Sequence, residues 1–204
     1  MSLLYLCGSK IFMIQFILFG PPGSGKGTQA AKLAEKYDLY HISTGDLFRS
    51  ETSNKTTLGL KALEYMSQGQ LVPDEITIGM LKNKISNLSE VSGFIYDGFP
   101  RTNPQAEALD CLLQESNQAI DLLLSLEVPE DEIVKRILNR GKTSGRPDDN
   151  DEAIIRKRIQ VYLDETSIVF EHYAKLGKSR HINGIGTIEE IFERLCFELD
   201  QICK

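Results

Sequence analysis

The chain has no tryptophan, three histidines and four cysteines in 204 residues. Cys7, Cys111, Cys196 and Cys203 are scattered and form no Cys-x-x-Cys pair. That spacing excludes a zinc ribbon and gives no disulfide framework, so reduced thiols in a cytoplasmic protein are expected. Excess positive charge is also missing: a net charge of −6 disfavours a nucleic-acid surface. No apolar run is long enough to cross a bilayer, and neither internal repeats nor low-complexity tracts occur. The early apolar stretches, Leu3–Cys7 and Ile11–Phe19, lack the basic leader of a secretory signal, because the first cation is Lys10. The second stretch runs into a glycine loop rather than a cleavage site. Residues 1–12 are therefore expected to lie outside the fold, with Met13 an alternative start.

What remains is an ordinary globular mixture, 41% hydrophobic and 25% charged, of a size that suits one domain over 13–204. Ile14–Phe19, Phe94–Tyr96 and Leu122–Val128 are continuous apolar runs of strand length, and His41–Ser43 and His181–Asn183 are weaker ones. Continuous apolarity marks strands buried on both faces, as in a parallel sheet. Helical spacing appears between them, at Ala30, Leu33, Ala34 and Tyr37, at Ile133, Ile137 and Leu138, and at Ile188, Ile191, Leu195, Leu199 and Ile202. One long helix is expected to carry Ile155, Ile159, Tyr162, Thr166, Val169 and Tyr173. Alternating strand and helix predicts an α/β fold of three layers, a five-stranded parallel sheet with helices on both faces. Ligands then bind beyond the carboxyl ends of the strands.

The first strand runs into Gly20-Pro21-Pro22-Gly23-Ser24-Gly25-Lys26-Gly27-Thr28, and a helical pattern follows. Strand, glycine loop and helix together make a phosphate site: loop amides and the positive helix end face the anion, and a lysine supplies mobile charge. Gly23, Ser24, Gly25, Lys26, Gly27 and Thr28 are the candidate triphosphate contacts. A plain glycine turn is the simpler reading, but it does not account for Lys26 in register. The strict pattern has Ser or Thr after the lysine, where this chain has Gly27. Mg2+ is therefore expected to be held by nucleotide and water, with Asp97, at the end of strand Phe94–Tyr96, the candidate for a water-mediated contact.

An acidic protein that handles phosphates must concentrate its cations locally. Arg49, Arg101, Arg136, Arg140, Arg146 and Arg158 fall at element ends or beside loops, and Arg136 and Arg140 share one helical face. Any one of them alone reads as a solvated surface charge, as Arg156 does. Together they suit phosphoryl transfer, which asks a protein for positioning and charge neutralisation.

Five motifs extend this to a family. GPPGSGKGTQ (Gly20–Gln29), HISTGDLFR (His41–Arg49), GQLVP (Gly69–Pro73), DGFPR (Asp97–Arg101) and RGKTSGRPDD (Arg140–Asp149) jointly resemble adenylate kinases across 13–204. The resemblance implies a P-loop fold and reversible Mg-dependent transfer of a phosphoryl group from ATP to AMP, giving two ADP and serving adenine nucleotide homeostasis. It implies AMP contacts at Thr44, Arg49, Gln70, Leu71, Val72, Gly98, Arg101 and Gln105, with Arg146 and Arg158 reaching toward the AMP phosphate and the transferring group. Arg136, Arg140 and Gly186 fall on the ATP side. It also implies an AMP-binding helical insert over 43–72 and a short lid over 141–148, hinged at Gly141 and Gly145. That lid has no cysteine, so no structural zinc is expected. ATP and AMP are the expected partners, with no nucleic acid or membrane, and a monomer is the expected state.

Asp148 and Asp149 can either cap the long helix or act in gripping ATP and closing the lid. His41, His172 and His181 read as structural or surface residues. The competing reading is a UMP/CMP kinase, which resembles Ser-Ala-Gly-Glu where this chain has Ser43-Thr44-Gly45-Asp46 and carries Asn where Gln105 stands. Gln105 offers the acceptor and donor that suit the adenine N1/N6 edge. A non-enzymatic guanine-nucleotide switch needs Asn-Lys-x-Asp, and Asn54-Lys55-Thr56-Thr57 and Asn83-Lys84-Ile85-Ser86 both lack the Asp.

Overall fold

Alternate side chains of one strand, β1 (Ile14–Phe19), enter two different cores. Phe16 and Leu18 point to one face of the sheet, and Ile17 and Phe19 to the other. A strand buried on both faces has no reason to alternate with polar residues, which is why its sequence is a continuous apolar run. The computed structural model describes residues 13–88 and 91–202. Residues 1–12, expected above to be an extension, lie outside the described residues, as does Cys203.

Four further strands complete the sheet: β2 (Tyr40–Ser43), β3 (Gly93–Asp97), β4 (Leu122–Glu127) and β5 (Ser179–Asn183). All pairings are parallel and the order is β2-β3-β1-β4-β5, the five-stranded α/β sheet that the apolar runs predict. On the first face, α1 (Lys26–Tyr37) brings Ala30 and Leu33, and α9 (Ile188–Ile202) brings Leu195 and Leu199. On the second, α4 (Asp74–Ser86) brings Leu81, α5 (Asn103–Gln114) brings Leu109 and Leu113, and α8 (Ile168–Ala174) brings Val169 and Tyr173. Each fully buried side chain of this kind contributes about 1.5–3 kcal/mol. The polar exception in β1 is satisfied: Gln15, fully buried, donates to Gln118 Oε1 at 2.8 Å and accepts from the Tyr96 hydroxyl at 2.8 Å.

Two helical pairs stand beside this sandwich. α2 (Thr44–Ser53) packs on α3 (Thr57–Met66) through Phe48, Ala62 and Val72. α6 (Glu130–Ser144) packs on α7 (Glu152–Val161) through Ile133, Ile137, Ile155 and Ile159. From β1 the chain moves outward to β2 and back to β3, then crosses to β4 and β5 on the other side. The carboxyl ends of β1 and β3 therefore flank the point where the strand order reverses, the place a parallel sheet opens a crevice.

Three local expectations change. The expected single helix over Ile155–Tyr173 is two α-helices joined by a π turn at Tyr162–Thr166, where Ser167 N–H bonds Tyr162 O at 2.8 Å. The α7 cap is neither Asp148 nor Asp149 but Asp151, whose carboxylate accepts from Ala153 and Ile154 N–H. Gly141, expected as a hinge, lies inside α6, where a Cβ would come within 2.5 Å of Asn150 Oδ1. It is there to let the following turn pack close. Gly145, in the left-handed region at φ 65°, ends the helix.

Two helical glycines test this packing with opposite signs. A Cβ on Gly59 would sit 2.2 Å from the Glu51 backbone, whereas one on Gly79 in α4 would meet nothing within 4 Å. Gly59→Ala is expected to destabilise by about 1–3 kcal/mol through overpacking. Gly79→Ala is expected to stabilise by about 1 kcal/mol or less through helix propensity. Thermal melting checks both; a Gly59→Ala protein melting at or above the parent contradicts the close α2–α3 contact.

Candidate active site

The loop after β1 is shaped by glycines that no other residue replaces. Gly20, Gly23 and Gly25 have φ of 140°, 77° and 100°, a region that side chains with a Cβ rarely adopt. A Cβ at Gly23 would also lie 2.6 Å from Ile137 Cγ1. Gly25 precedes α1 with no side-chain cap, and the first turn of α1 holds no acidic residue. The positive end of α1 is thus left without a capping side chain or an acidic residue of its own at the mouth of the loop. Lys26 Nζ lies across the loop, donating to Gly20 O at 2.8 Å and Pro21 O at 2.9 Å.

The loop opens into a cavity of about 800 Å³. Seven cationic side chains line it, Lys26 and Arg49, Arg101, Arg136, Arg140, Arg146 and Arg158, against three carboxylates, Asp46, Asp97 and Asp148. In a chain of net charge −6 this is a strong local reversal of sign. Its electrostatic effect is visible in the Lys26 pKa. Burial above all, with Arg101, Arg158 and Arg140 acting in the same direction and Asp97 opposing them, brings it down to about 8. Burial likewise depresses the Arg101 pKa, with Arg158 and Arg49 acting in the same direction. Arg146 is lowered by burial, then by Arg49 and Arg140. Arg158 thus acts on both Lys26 and Arg101, and Arg49 on both Arg101 and Arg146. A polyanion in this cavity relieves a repulsion that is already present.

The elements place these groups for identifiable reasons. Thr44 begins α2 directly after β2, and its Oγ1 donates to Gly98 O at 2.8 Å. Arg101 Nε donates to the same carbonyl at 2.8 Å. Gly98, at φ 75°, has no room for a Cβ, which would stand 2.9 Å from the Arg101 guanidinium. Arg49 pairs with Asp46 one turn earlier on α2, and Arg146 stands 3.9 Å from the same carboxylate. Arg136 bonds Glu132 Oε1 at 2.8 Å and donates to Gly184 O at 3.2 Å, which ties α6 to the loop after β5.

Asp149 joins two arginines. Its side chain is fully buried and accepts from Arg140 Nε at 2.7 Å, Arg140 Nη2 at 2.8 Å and Arg158 Nη1 at 3.1 Å. Arg158 also reaches Asp148 Oδ2 at 2.8 Å. Burial alone would raise the Asp149 pKa, but Arg140 and Arg158 outweigh it and hold the carboxyl below its ordinary value. The two aspartates therefore fix the arginines of α6 and α7 in one cluster.

All the candidate AMP contacts line the cavity: Thr44, Arg49, Gln70, Leu71, Val72, Gly98, Arg101, Gln105, Arg146 and Arg158. So do Gly23, Gly25, Lys26, Gly27, Thr28, Arg136, Arg140 and Asp97. Two candidates do not: Ser24 is fully buried beneath the loop, and Gly186 lies in the turn before α9. The sequence reading missed His41, whose Nε2 lies 3.3 Å from Asp97 Oδ2 in the cavity wall. Its position near the carboxyl end of a strand, where parallel sheets bind ligands, was the available signal. Tyr162 and Thr166, on the π turn, also line the cavity.

Among the described residues no group of three or more His, Cys, Asp or Glu is arranged to hold a metal. The Asp97 carboxylate lies beside the loop, where a Cβ on Gly27 would stand 3.8 Å from its Oδ2. This donor set fits a magnesium ion held mainly by phosphate oxygens and water.

Asp149→Ala is expected to cost about 1–3 kcal/mol, since Arg140 and Arg158 lose their acceptor. A depressed carboxyl pKa adds stability above its unfolded value and loses it as pH falls, so the deficit should close below pH 3.8. Chemical denaturation at neutral and acid pH measures this; an equal deficit at both would contradict the ion-pair account.

The profile of a family described as "Adenylate kinase" matches residues 18–178. Proteins named "Adenylate kinase" are similar over nearly the whole chain. That of Bacteroides fragilis is 50% identical over 190 residues, covering 93% of this chain and 100% of the relative. That of Flavobacterium psychrophilum is 49% identical over 183 residues, covering 90% and 96%. That of Porphyromonas gingivalis is 45% identical over 192 residues, covering 94% and 98%. With a glycine loop and a second set of arginines facing one cavity, and relatives matched end to end, the chain belongs to the adenylate kinase family.

Proposed function

We propose that the protein transfers the terminal phosphoryl group of MgATP to AMP, reversibly, giving two ADP. The observation that carries this is the sharing of one cavity by the loop with Lys26 and by Arg49 and Arg101, with Arg158 acting on both sides. A site for one nucleotide has no use for the second set. In this reading Gly23–Thr28, Arg136 and Arg140 hold the ATP phosphates, and Arg49 and Arg101 hold the AMP phosphate. Arg146 and Arg158, with Lys26, neutralise charge on the group in transfer. No protein nucleophile is required, because an AMP phosphate oxygen attacks the γ-phosphorus while the bond to the ADP oxygen breaks. When bound, Mg2+ supplies further neutralisation of the phosphate oxygens, with Asp97 orienting its waters.

Residues 43–72 then serve as the AMP-binding insert and 141–148 as a short lid, which excludes water that would otherwise accept the phosphoryl group. Thr44 and Gln105 favour adenine over the pyrimidines of a UMP/CMP kinase. A cytoplasmic monomer is the state this reading assigns; Cys111 and Cys196 are free thiols, and no described helix is long and apolar enough to cross a membrane.

Supplying MgATP with AMP, CMP, UMP or dTMP separately tests the reaction. ADP should form at least about tenfold faster with AMP than any diphosphate does with the others. Equal rates with CMP or UMP, or ADP formed without an acceptor, would overturn the proposal. Lys26→Met is expected to lower kcat by about a hundredfold or more with the circular dichroism spectrum unchanged. Near-normal kcat would remove Lys26 from the chemistry.

The Lys26 pKa gives a pH dependence with a definite sign. Its cation is present in the free enzyme below about pH 8 and lost above it. Bound phosphates raise that pKa, so kcat/KM for ATP should fall above pH 8 while kcat persists to higher pH. A kcat/KM that stays flat through pH 9.5 would contradict the assignment.

A further inference from the structure

Gln105 is held from two sides by groups whose hydrogen-bonding sense is fixed. Its Oε1 accepts from the backbone N–H of Arg101 at 2.8 Å, and its Nε2 donates to Asp74 Oδ1 at 2.6 Å. A backbone N–H can only donate and a carboxylate can only accept. The amide therefore cannot turn over without losing both bonds and setting donor against donor. Asp74 is itself anchored: its Oδ2 accepts from Thr102 Oγ1 at 2.9 Å. Thr102 caps α5, its Oγ1 accepting from Gln105 N–H at 3.3 Å. Asp74 lies in the first turn of α4 and does not line the cavity, whereas Gln105 does. Gln105 is only 1% exposed, so this geometry is enclosed on the protein side.

We propose that Asp74 is a positioning residue that makes the acceptor site select 6-amino over 6-oxo purines. The inference rests on Gln105 being the base contact. Once both protein bonds are made, Oε1 keeps one lone pair and Nε2 keeps one hydrogen. Acceptor beside donor matches adenine, whose N6 donates and whose N1 accepts. It mismatches hypoxanthine and guanine, whose O6 accepts and whose N1–H donates. A glutamine free to rotate would serve either pattern by a half-turn. Asp74, together with the Arg101 N–H, removes that half-turn, so it contributes to specificity without touching the nucleotide.

The test compares AMP with inosine monophosphate as acceptors, using MgATP and the full-length protein. In Asp74→Ala the AMP-to-IMP ratio of kcat/KM should fall about tenfold, with KM for AMP raised. KM for ATP and kcat with AMP should stay within about threefold, since Asp74 contacts neither. Asp74→Asn, which keeps one acceptor oxygen for Nε2, should restore most of the ratio. In a Gln105→Ala background, Asp74→Ala should have no further effect on the ratio. A ratio in Asp74→Ala within about twofold of the parent, while Gln105→Ala lowers it, overturns the inference and leaves the base contact standing. So does a full Asp74→Ala effect on top of Gln105→Ala. If Gln105→Ala itself leaves the ratio intact, the base contact falls and this inference with it. Should Asp74→Ala not fold, nuclear magnetic resonance of the Gln105 side-chain amide in the parent protein decides. One of its two protons should resist solvent exchange before nucleotide is added, and AMP should shift mainly the other. Two rapidly exchanging, averaged protons would overturn it.

Discussion

Mutual repulsion among half-buried cations is the constraint on which the rest of the molecule depends. Seven Lys and Arg side chains face one cavity, and burial with like charge depresses the pKa values of Lys26, Arg101 and Arg146. Such a cluster does not hold itself together. It is tolerated because each cation is fixed to an element with its own reason to be where it is. Lys26 follows a strand buried on both faces. Arg101 is tied to Gly98 at the end of another. Arg136, Arg140 and Arg158 lie on two helices packed through their own apolar seam. Asp97 offsets part of this charge at Lys26 and Arg101, and other carboxylates bridge arginines. Asp149 joins Arg140 to Arg158, and Asp46 serves Arg49 with Arg146 nearby.

This arrangement links stability to function with a clear sign. Assembling the cluster costs free energy in the free protein, and that cost is returned when phosphates enter, as differential stabilisation of charge at the reacting group. Two of the seven cations, Lys26 and Arg101, rest on the heavily packed sheet, and the other five lie on its lightly packed flanks. The sheet and its two cores carry the loop and Arg101, while α2–α3 and α6–α7 stand beside it with small apolar seams of their own. Elements with few buried apolar contacts are those able to move at low cost.

The strands were legible because burial on both faces writes itself as continuous apolarity, and the glycine loop because its backbone admits few alternatives. The arginines were legible as a set beside that loop, though none was alone. Other features left no local trace. Helix α4 shows no clean stripe because Leu81 and Ile85 face the sheet while Ile76 and Met80 face the α2–α3 cluster. The π turn escapes notice because Ile159, Tyr162, Thr166 and Val169 keep helical spacing through it. Asp149 reads like any acid near a helix start until its burial between two arginines is known. The sequence shows what Gln105 can donate and accept but not its orientation, which is set by the Arg101 N–H and by Asp74, 31 residues away.

Two anion sites in one cavity make a demand that a single nucleotide cannot meet. The most direct measurement is calorimetric binding of a dinucleotide in which two adenosines are bridged by five phosphates. The account predicts one molecule per chain, bound about a hundredfold or more tighter than ATP or AMP separately, with proton uptake near pH 8. Binding no tighter than that of ATP alone would contradict it.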